Sequence, residues 1–404
     1  MLSSSTVWSA ALGALALLPG AAMAGFSSSA TNNVAIYWGQ NSANQAGTQQ
    51  RLSTYCSNSN LNVIPLAFLH VIKNPTLVNF ANAGDNCTVF AGTQLLKCPQ
   101  IEEDIKTCQT KGKTILLSIG GATYTEGGFS SSSEAATWAN TIWAMFGPVQ
   151  SGNTINRPFG SAVIDGFDLD FEAISANMVP FANQLRANMD AASSVKKFFL
   201  SVAPQCPYPD AANGEMLNGA VSFDFVAIQF YNNYCGVSSY VPGASTQNNF
   251  NFATWDNWAK TVSRNPAVKI LLGIPGSTSA GGGYVSGSQL NSVIAYSKQF
   301  SSFGGVMIWD MSQVFNNVGF LDSVGSALGG TNPPPPPVTT TITTRPTTTT
   351  MVTITTTTRP PTTTTAPGTV PQWGQCGGRD YTGPTQCQAP WHCVYVSDWW
   401  SQCN

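Results

Sequence analysis

The sequence predicts an α/β chain built on a (β/α)8 barrel, and three observations carry the prediction. Eight short β-rich runs recur through residues 25–330, separated by segments long enough for crossover helices. The runs are apolar almost throughout instead of alternating, as parallel strands covered on both faces are. Eight such units in roughly 300 residues suit a closed barrel, whose functional face lies at the C-terminal strand ends. An open doubly wound sheet has little support, because no Gly-x-Gly-x-x-Gly follows the first run.

In order, the expected strands are Val34–Tyr37, Val63–Phe68, Thr114–Ser118, Gly166–Phe171, Phe198–Ala203, Phe225–Phe230, Lys269–Gly273 and Val306–Trp309. The fourth run is the informative one. It reads Asp165-Gly166-Phe167-Asp168-Leu169-Asp170-Phe171-Glu172. Strand side chains alternate, so Asp168, Asp170 and Glu172 share one face while Phe167, Leu169 and Phe171 share the other. In a barrel the apolar set packs on the helices and the carboxyls face the interior. Crowded carboxyls cannot all ionise cheaply, so at least one proton is retained. A protonated carboxyl near neutral pH is a general acid. A cation site or a solvated strand end would be the alternatives, but the spacing is not that of an EF-hand.

Paired carboxyls suggest glycoside hydrolysis. Asp170 and Glu172 stand on one strand face, about 6–7 Å apart at Cα. That does not place one carboxylate on each side of a sugar ring. Hydrolysis assisted by the sugar's own acetamido group fits the arrangement better.

The rest of the chain brackets this domain. Residues 1–24 read as a secretory signal, with an apolar run at Ala10–Leu18 and Ala22-Met23-Ala24 before the cut. A secreted, extracellular protein is expected, without a membrane span. Lys+Arg 17 against Asp+Glu 19, with 9% charged residues, excludes a basic nucleic-acid surface. His70 and His392 are the whole histidine complement. They cannot form a multi-His metal site, and neither cofactor nor metal is expected. His70 is expected to pack or hydrogen-bond. Residues 331–370, rich in Pro and Thr, read as a disordered linker decorated by O-glycans. Residues 371–404 are too few for a self-sufficient core, so the four cysteines there act as staples.

The motifs resemble a known family. Asp165–Glu172 is similar to the DxxDxDxE signature of glycoside hydrolase family 18, and Ser118-Ile119-Gly120-Gly121 to its SxGG motif. Val34–Asn41 and Gln229-Phe230-Tyr231-Asn232 resemble the plant and fungal class III (hevamine-like) chitinases. The resemblance implies a TIM barrel and endo-acting hydrolysis of β-1,4-linked N-acetylglucosamine polymers with retention. It makes Glu172 the acid/base, Asp170 the group that holds the acetamido and Asp168 its proton-sharing partner. Asp165 would be structural. Tyr231 would donate to the acetamido oxygen, on the face shared with Gln229, and Trp309 would floor the distorted sugar. Tyr37, Gln40, Gly121 and Ala122 would contact the chain. The implied disulfides are Cys56–Cys108, Cys87–Cys98 and Cys206–Cys235.

The C-terminal segment resembles the fungal family 1 carbohydrate-binding module through its cysteine spacing, Trp373-Gly374-Gln375-Cys376-Gly377-Gly378 and Trp399-Trp400-Ser401-Gln402-Cys403. That implies pairs Cys376–Cys393 and Cys387–Cys403, and a flat face of Trp373, Trp399 and Trp400. Ser397 stands where the module commonly has Asn. Expected partners are chitin, chitooligosaccharides and, through the module, cellulose; the chain is expected to be a monomer. Two other readings of the same barrel are a non-catalytic sugar-binding lectin and an endoglycosidase acting on the chitobiose core of N-glycans.

Overall fold

A computed structural model of the chain describes residues 25–329, 369–370, 375–377, 381, 383–397 and 400–403. The expected leader and residues 331–368 of the expected linker lie outside these residues; its last two, 369–370, are described, and Val370 packs in the second unit. The chain forms two compact units, one holding residues 25–329 and the other the C-terminal segment.

Eight parallel strands close the first unit: β1 Asn33–Ile36, β2 Val63–Val71, β3 Thr114–Gly120, β4 Gly166–Asp170, β5 Phe199–Val202, β6 Phe225–Gln229, β7 Lys269–Pro275 and β8 Phe303–Trp309. Each pairs with its sequence neighbours, and β1 pairs with both β8 and β2, so no edge remains. All eight strand expectations are met within a few residues. The helices include α1 Leu52–Tyr55, α2 Pro99–Thr110, α3 Ser132–Phe146, α4 Met178–Ala191, α5 Gly214–Leu217, α6 Phe252–Thr261, α7 Gly287–Ser297, α8 Met311–Asn316 and α9 Phe320–Leu328. Their starts are locally encoded. Pro99 opens α2, where its missing N–H is no loss. Ser131 caps α3 by accepting the Glu134 N–H, while the Glu134 carboxylate accepts the Ser130 N–H.

Two apolar layers result from strand alternation. Outward residues such as Ile115, Leu117, Phe167, Leu169, Val226 and Ile228 pack under the helices. Inward residues form a smaller cluster that includes Ala35, Tyr37, Leu116, Phe199, Phe225, Ala227 and Tyr231. Phe26, from the segment before β1, packs at 5.2 Å from Phe199 and 4.6 Å from Phe225. Both partners are the first residues of their strands, so Phe26 closes the N-terminal end of the barrel.

The three expected disulfides of this unit are present: Cys56–Cys108, Cys87–Cys98 and Cys206–Cys235. Among the described residues no helix is long and apolar enough to cross a membrane.

The second unit is a small antiparallel sheet with β9 Gln375–Gly377, β10 Cys393–Ser397 and β11 Trp400–Cys403, the last in the centre. Cys376–Cys393 and Cys387–Cys403 staple it, as the resemblance implies. Its interior is little more than Val370, Cys376 and Cys403, with Cys387 and Trp391 against them. Trp373 and Trp399 lie outside the described residues. Trp400 opens β11 and Ser397 ends β10, but neither side chain is described.

Candidate active site

The alternation of β4 determines the site. Phe167, Leu169 and Phe171 are buried outside the sheet against the helices. Asp168 and Asp170 point inward at 1% and 3% exposure. Glu172 follows two residues beyond β4, at the open mouth and in contact with solvent.

Asp168 is the deepest carboxyl and is surrounded by hydroxyls. Its Oδ2 accepts from Tyr37 Oη and Ser118 Oγ, each at 2.7 Å, and its Oδ1 accepts from Ser201 Oγ at 2.7 Å. Burial pushes its pKa up, while these three donors oppose the rise. Among the described residues, the Asp170 side chain accepts one hydrogen bond, from Gln229 Nε2 at 3.0 Å. Its pKa stands well above the carboxylate range, first through burial, then through the charges of Glu172 and Asp168. Three donors favour the anion of Asp168, so Asp170 is the member of the pair suited to keep a proton. Glu172 is also raised. Burial is the first cause even at the mouth, because the surrounding walls exclude water from much of its field; the Gln229 amide opposes the rise and Asp210 adds to it.

Tyr231 is 6% exposed in the inner cluster. Its hydroxyl has no hydrogen-bond partner among the described residues. Burial and then the charges of Asp170, Glu172 and Asp168 hold its pKa far above the usual phenol value. It therefore remains a proton-bearing donor at any ordinary pH. Trp309 ends β8 and packs on Phe68 (6.0 Å, rings 20° apart) and Tyr37 (5.5 Å). The aromatic floor beside the carboxyls thus has a member that the sequence reading missed.

Phe68 escaped because β2 breaks its own period. Register slips between Ala67 and Leu69, so Ala67 and Phe68 both face inward while Leu66 and Leu69 face outward. Asn79 then bonds both the N–H and the carbonyl of Phe68, at 2.9 Å each.

The glycines of Ser118–Gly121 have a spatial role. Gly120 and Gly121 have φ of +113° and +80°. A Cβ on Gly120 would lie 2.5 Å from the Asp170 carbonyl oxygen, and one on Gly121 2.7 Å from the Phe68 ring. Gly121 N–H donates to the Asp170 carbonyl at 2.7 Å, tying the end of β3 to β4. Ala122 is exposed at the rim.

Gln40 also has a role within the fold. Its amide nitrogen is engaged by the carbonyls of Gly39, Ala67 and Asn79, at 3.2, 2.8 and 3.1 Å. It braces the loop after β1, leaving only its oxygen for a ligand. Asp165 precedes β4 at the other end, bound by Lys196 Nζ at 2.7 Å and by the Ile115 N–H at 2.7 Å, and is structural as expected. His70 is partly buried on β2, its pKa lowered by burial against the opposing charge of Glu126. It packs, and makes no hydrogen bond among the described residues. The one His/Cys/Asp/Glu group there within ligand distance, Cys376, Cys387 and Cys393, is bridged in disulfides.

Comparison with known proteins fits this geometry. Residues 33–284 match the model of the glycosyl hydrolases family 18, and residues 372–403 that of the fungal cellulose binding domain. An "Endochitinase 33" of Trichoderma harzianum is 59% identical over 315 residues, 78% of this chain and 97% of that protein. A "Class III chitinase" of Arthroderma benhamiae is 55% identical over 77% of this chain and 90% of its own length. Among solved structures, the xylanase and alpha-amylase inhibitor protein of Scadoxus multiflorus superposes with a TM-score of 0.58 at 28% identity, over 73% of this chain and 98% of that one. By family model and by identity to its relatives, this chain belongs to glycosyl hydrolase family 18 and carries a C-terminal segment matching the fungal cellulose binding domain.

Proposed function

We propose that the protein is a secreted chitinase that cuts internal β-1,4 linkages between N-acetylglucosamine units with retention, the acetamido group of the substrate acting as nucleophile. The observation that carries the reading is the graded carboxyl row of β4: Asp168 held by three hydroxyls, Asp170 raised and facing Glu172, and Glu172 raised at the solvent-reached mouth. Glu172 protonates the leaving glycosidic oxygen and afterwards takes a proton from water. Asp170 and Tyr231 hold the acetamido as its oxygen closes on the anomeric carbon. Trp309 with Phe68 and Tyr37 supplies the apolar floor on which the sugar ring rests. Two relatives named as chitinases at 55–59% identity support the substrate class. A cellulase is disfavoured because glucose has no acetamido group to act as the nucleophile. The residues matching the fungal cellulose binding domain support delivery to solid polysaccharide.

Time-resolved NMR with N-acetylglucosamine hexamer tests this. Internal cuts releasing the β-anomer first are expected, and Glu172→Gln should abolish them while polymer binding persists. Initial release of the α-anomer would overturn retention. Binding without any cleavage by the native protein would establish the lectin reading instead.

A further inference from the structure

The loop after β5, residues 203–213, ends on a buried pair outside the carboxyl motif. Asp210 is 6% exposed and Asn213 fully buried. Asp210 Oδ1 accepts the N–H groups of Ala212 (3.1 Å) and Asn213 (2.6 Å) and the Asn213 amide (2.9 Å); Oδ2 accepts the Gln205 N–H at 3.1 Å. Burial pushes the Asp210 pKa up, and every one of these partners is a donor that opposes the rise by favouring the carboxylate anion. Asn213 Nδ2 also donates to the carbonyl oxygen of Phe171 at 2.9 Å. That carbonyl belongs to the peptide joining Phe171 to Glu172. Glu172 itself stands beyond the last residue of β4, where the strand ladder no longer fixes it.

The loop is held firmly enough to transmit such a bond. Cys206 is bridged to Cys235 after β6, and its carbonyl accepts from Trp255 Nε1 at 2.9 Å and Asn251 Nδ2 at 2.8 Å. Asn233 Nδ2 donates to Gln205 Oε1 at 2.9 Å.

We propose that Asp210 and Asn213 are a positioning pair for Glu172: Asn213 fixes the peptide that carries the acid, and Asp210 holds Asn213 while presenting a negative charge to the acid. The proposal rests on reading Glu172 as the acid. The titratable groups facing Glu172 are Asp170 from its own strand, Asp210 from the β5 loop and Tyr231 from β6. Asp168 and Tyr37 stand deeper and are bonded to each other. The charge of Asp210 raises the pKa of Glu172, after burial. A neighbouring anion favours the protonated acid, so its removal moves the loss of activity on the alkaline side to lower pH.

The test is the pH dependence of kcat/KM of the full chain on N-acetylglucosamine hexamer, with melting curves to verify folding. Asp210→Asn keeps an oxygen for the three donors on Oδ1 and removes the charge; its alkaline limb should move to lower pH. Asp210→Glu should return the limb toward the native position. Asn213→Ala leaves the charge and removes the bond to Phe171; kcat should fall about tenfold or more, with KM little changed and the limb unmoved. A folded Asp210→Asn protein with the native limb overturns the electrostatic role, and native kcat in Asn213→Ala overturns the positioning role. If either variant does not fold, the other decides. Glu172→Gln serves as the control: if it still hydrolyses, the reading of Glu172 fails; if it is inactive while the other variants behave as native, only the pair falls.

Discussion

Asp170 is 3% exposed, faces two other carboxyls and accepts one amide, with no cation bonded to it among the described residues. An ordinary Asp in the unfolded chain titrates near 3.9. Burial first, and the charges of Glu172 and Asp168 second, raise its pKa in the fold. The folded state therefore binds its proton more tightly than the unfolded state does. That contributes stability below the unfolded pKa, and the contribution is lost as pH rises through the folded pKa. At neutral pH, Asp170 is a net cost to folding. Asp170→Asn should therefore melt about 2 °C or more above the native protein at pH 7, while losing hydrolysis. Calorimetry between pH 4 and 7 should show that gap closing toward the acid end. A gap of the same size at every pH would mean that packing, not ionisation, sets it.

Among the elements, the junction of β2 and β3 is where backbone geometry becomes ligand geometry. Gly121 sits at φ +80°, and any Cβ there would meet the Phe68 ring at 2.7 Å. Phe68 is stacked on Trp309, so a clash at the end of β3 is passed across the barrel mouth to the end of β8. Gly121→Ala should destabilise by about 1–3 kcal/mol, through overpacking and the left-handed backbone. It should also raise KM for the hexamer more than it lowers kcat, because the added Cβ meets the Phe68 ring directly, whereas Gly121 reaches the carboxyl row only through its N–H bond to the Asp170 carbonyl. Urea melts with steady-state kinetics would check both, and a native KM in a destabilised variant would show that Phe68 does not pass the shift on. This junction also marks where local reading stops. The two faces of β4 follow from alternation alone, so Asp168, Asp170 and Glu172 were legible as a row. Phe68 was not, since a register slip of one residue inverts the face on which a strand residue lies. Asp210 and Asn213 were equally hidden: their significance lies in a bond to Phe171, 42 residues before Asn213, and nothing in the spacing of a loop reveals it. Gln40 was legible as a polar residue near the site, but its three carbonyl partners exist only once β1 and β2 are side by side.

At the scale of the whole chain, each of the five disulfides closes within one unit. Cys56–Cys108, Cys87–Cys98 and Cys206–Cys235 close within the barrel, and Cys376–Cys393 and Cys387–Cys403 within the C-terminal segment. The barrel has its own closed sheet and two apolar layers, and each proposed catalytic side chain belongs to it. Removing residues 331–404 should therefore leave a folded protein with native kcat/KM on the soluble hexamer. On solid chitin the consequence differs. A second binding element raises the local concentration of the barrel at the polymer surface without any new contact in the cleft. The shortened protein should hydrolyse crystalline chitin about tenfold or more slowly at low enzyme concentration, and the deficit should shrink as enzyme approaches saturation of the surface. Sedimentation of both proteins with chitin and with cellulose would show which polymer the segment holds. Equal rates on the solid for the two proteins would mean that the segment, although matching a polysaccharide-binding family, does not deliver this barrel to its substrate.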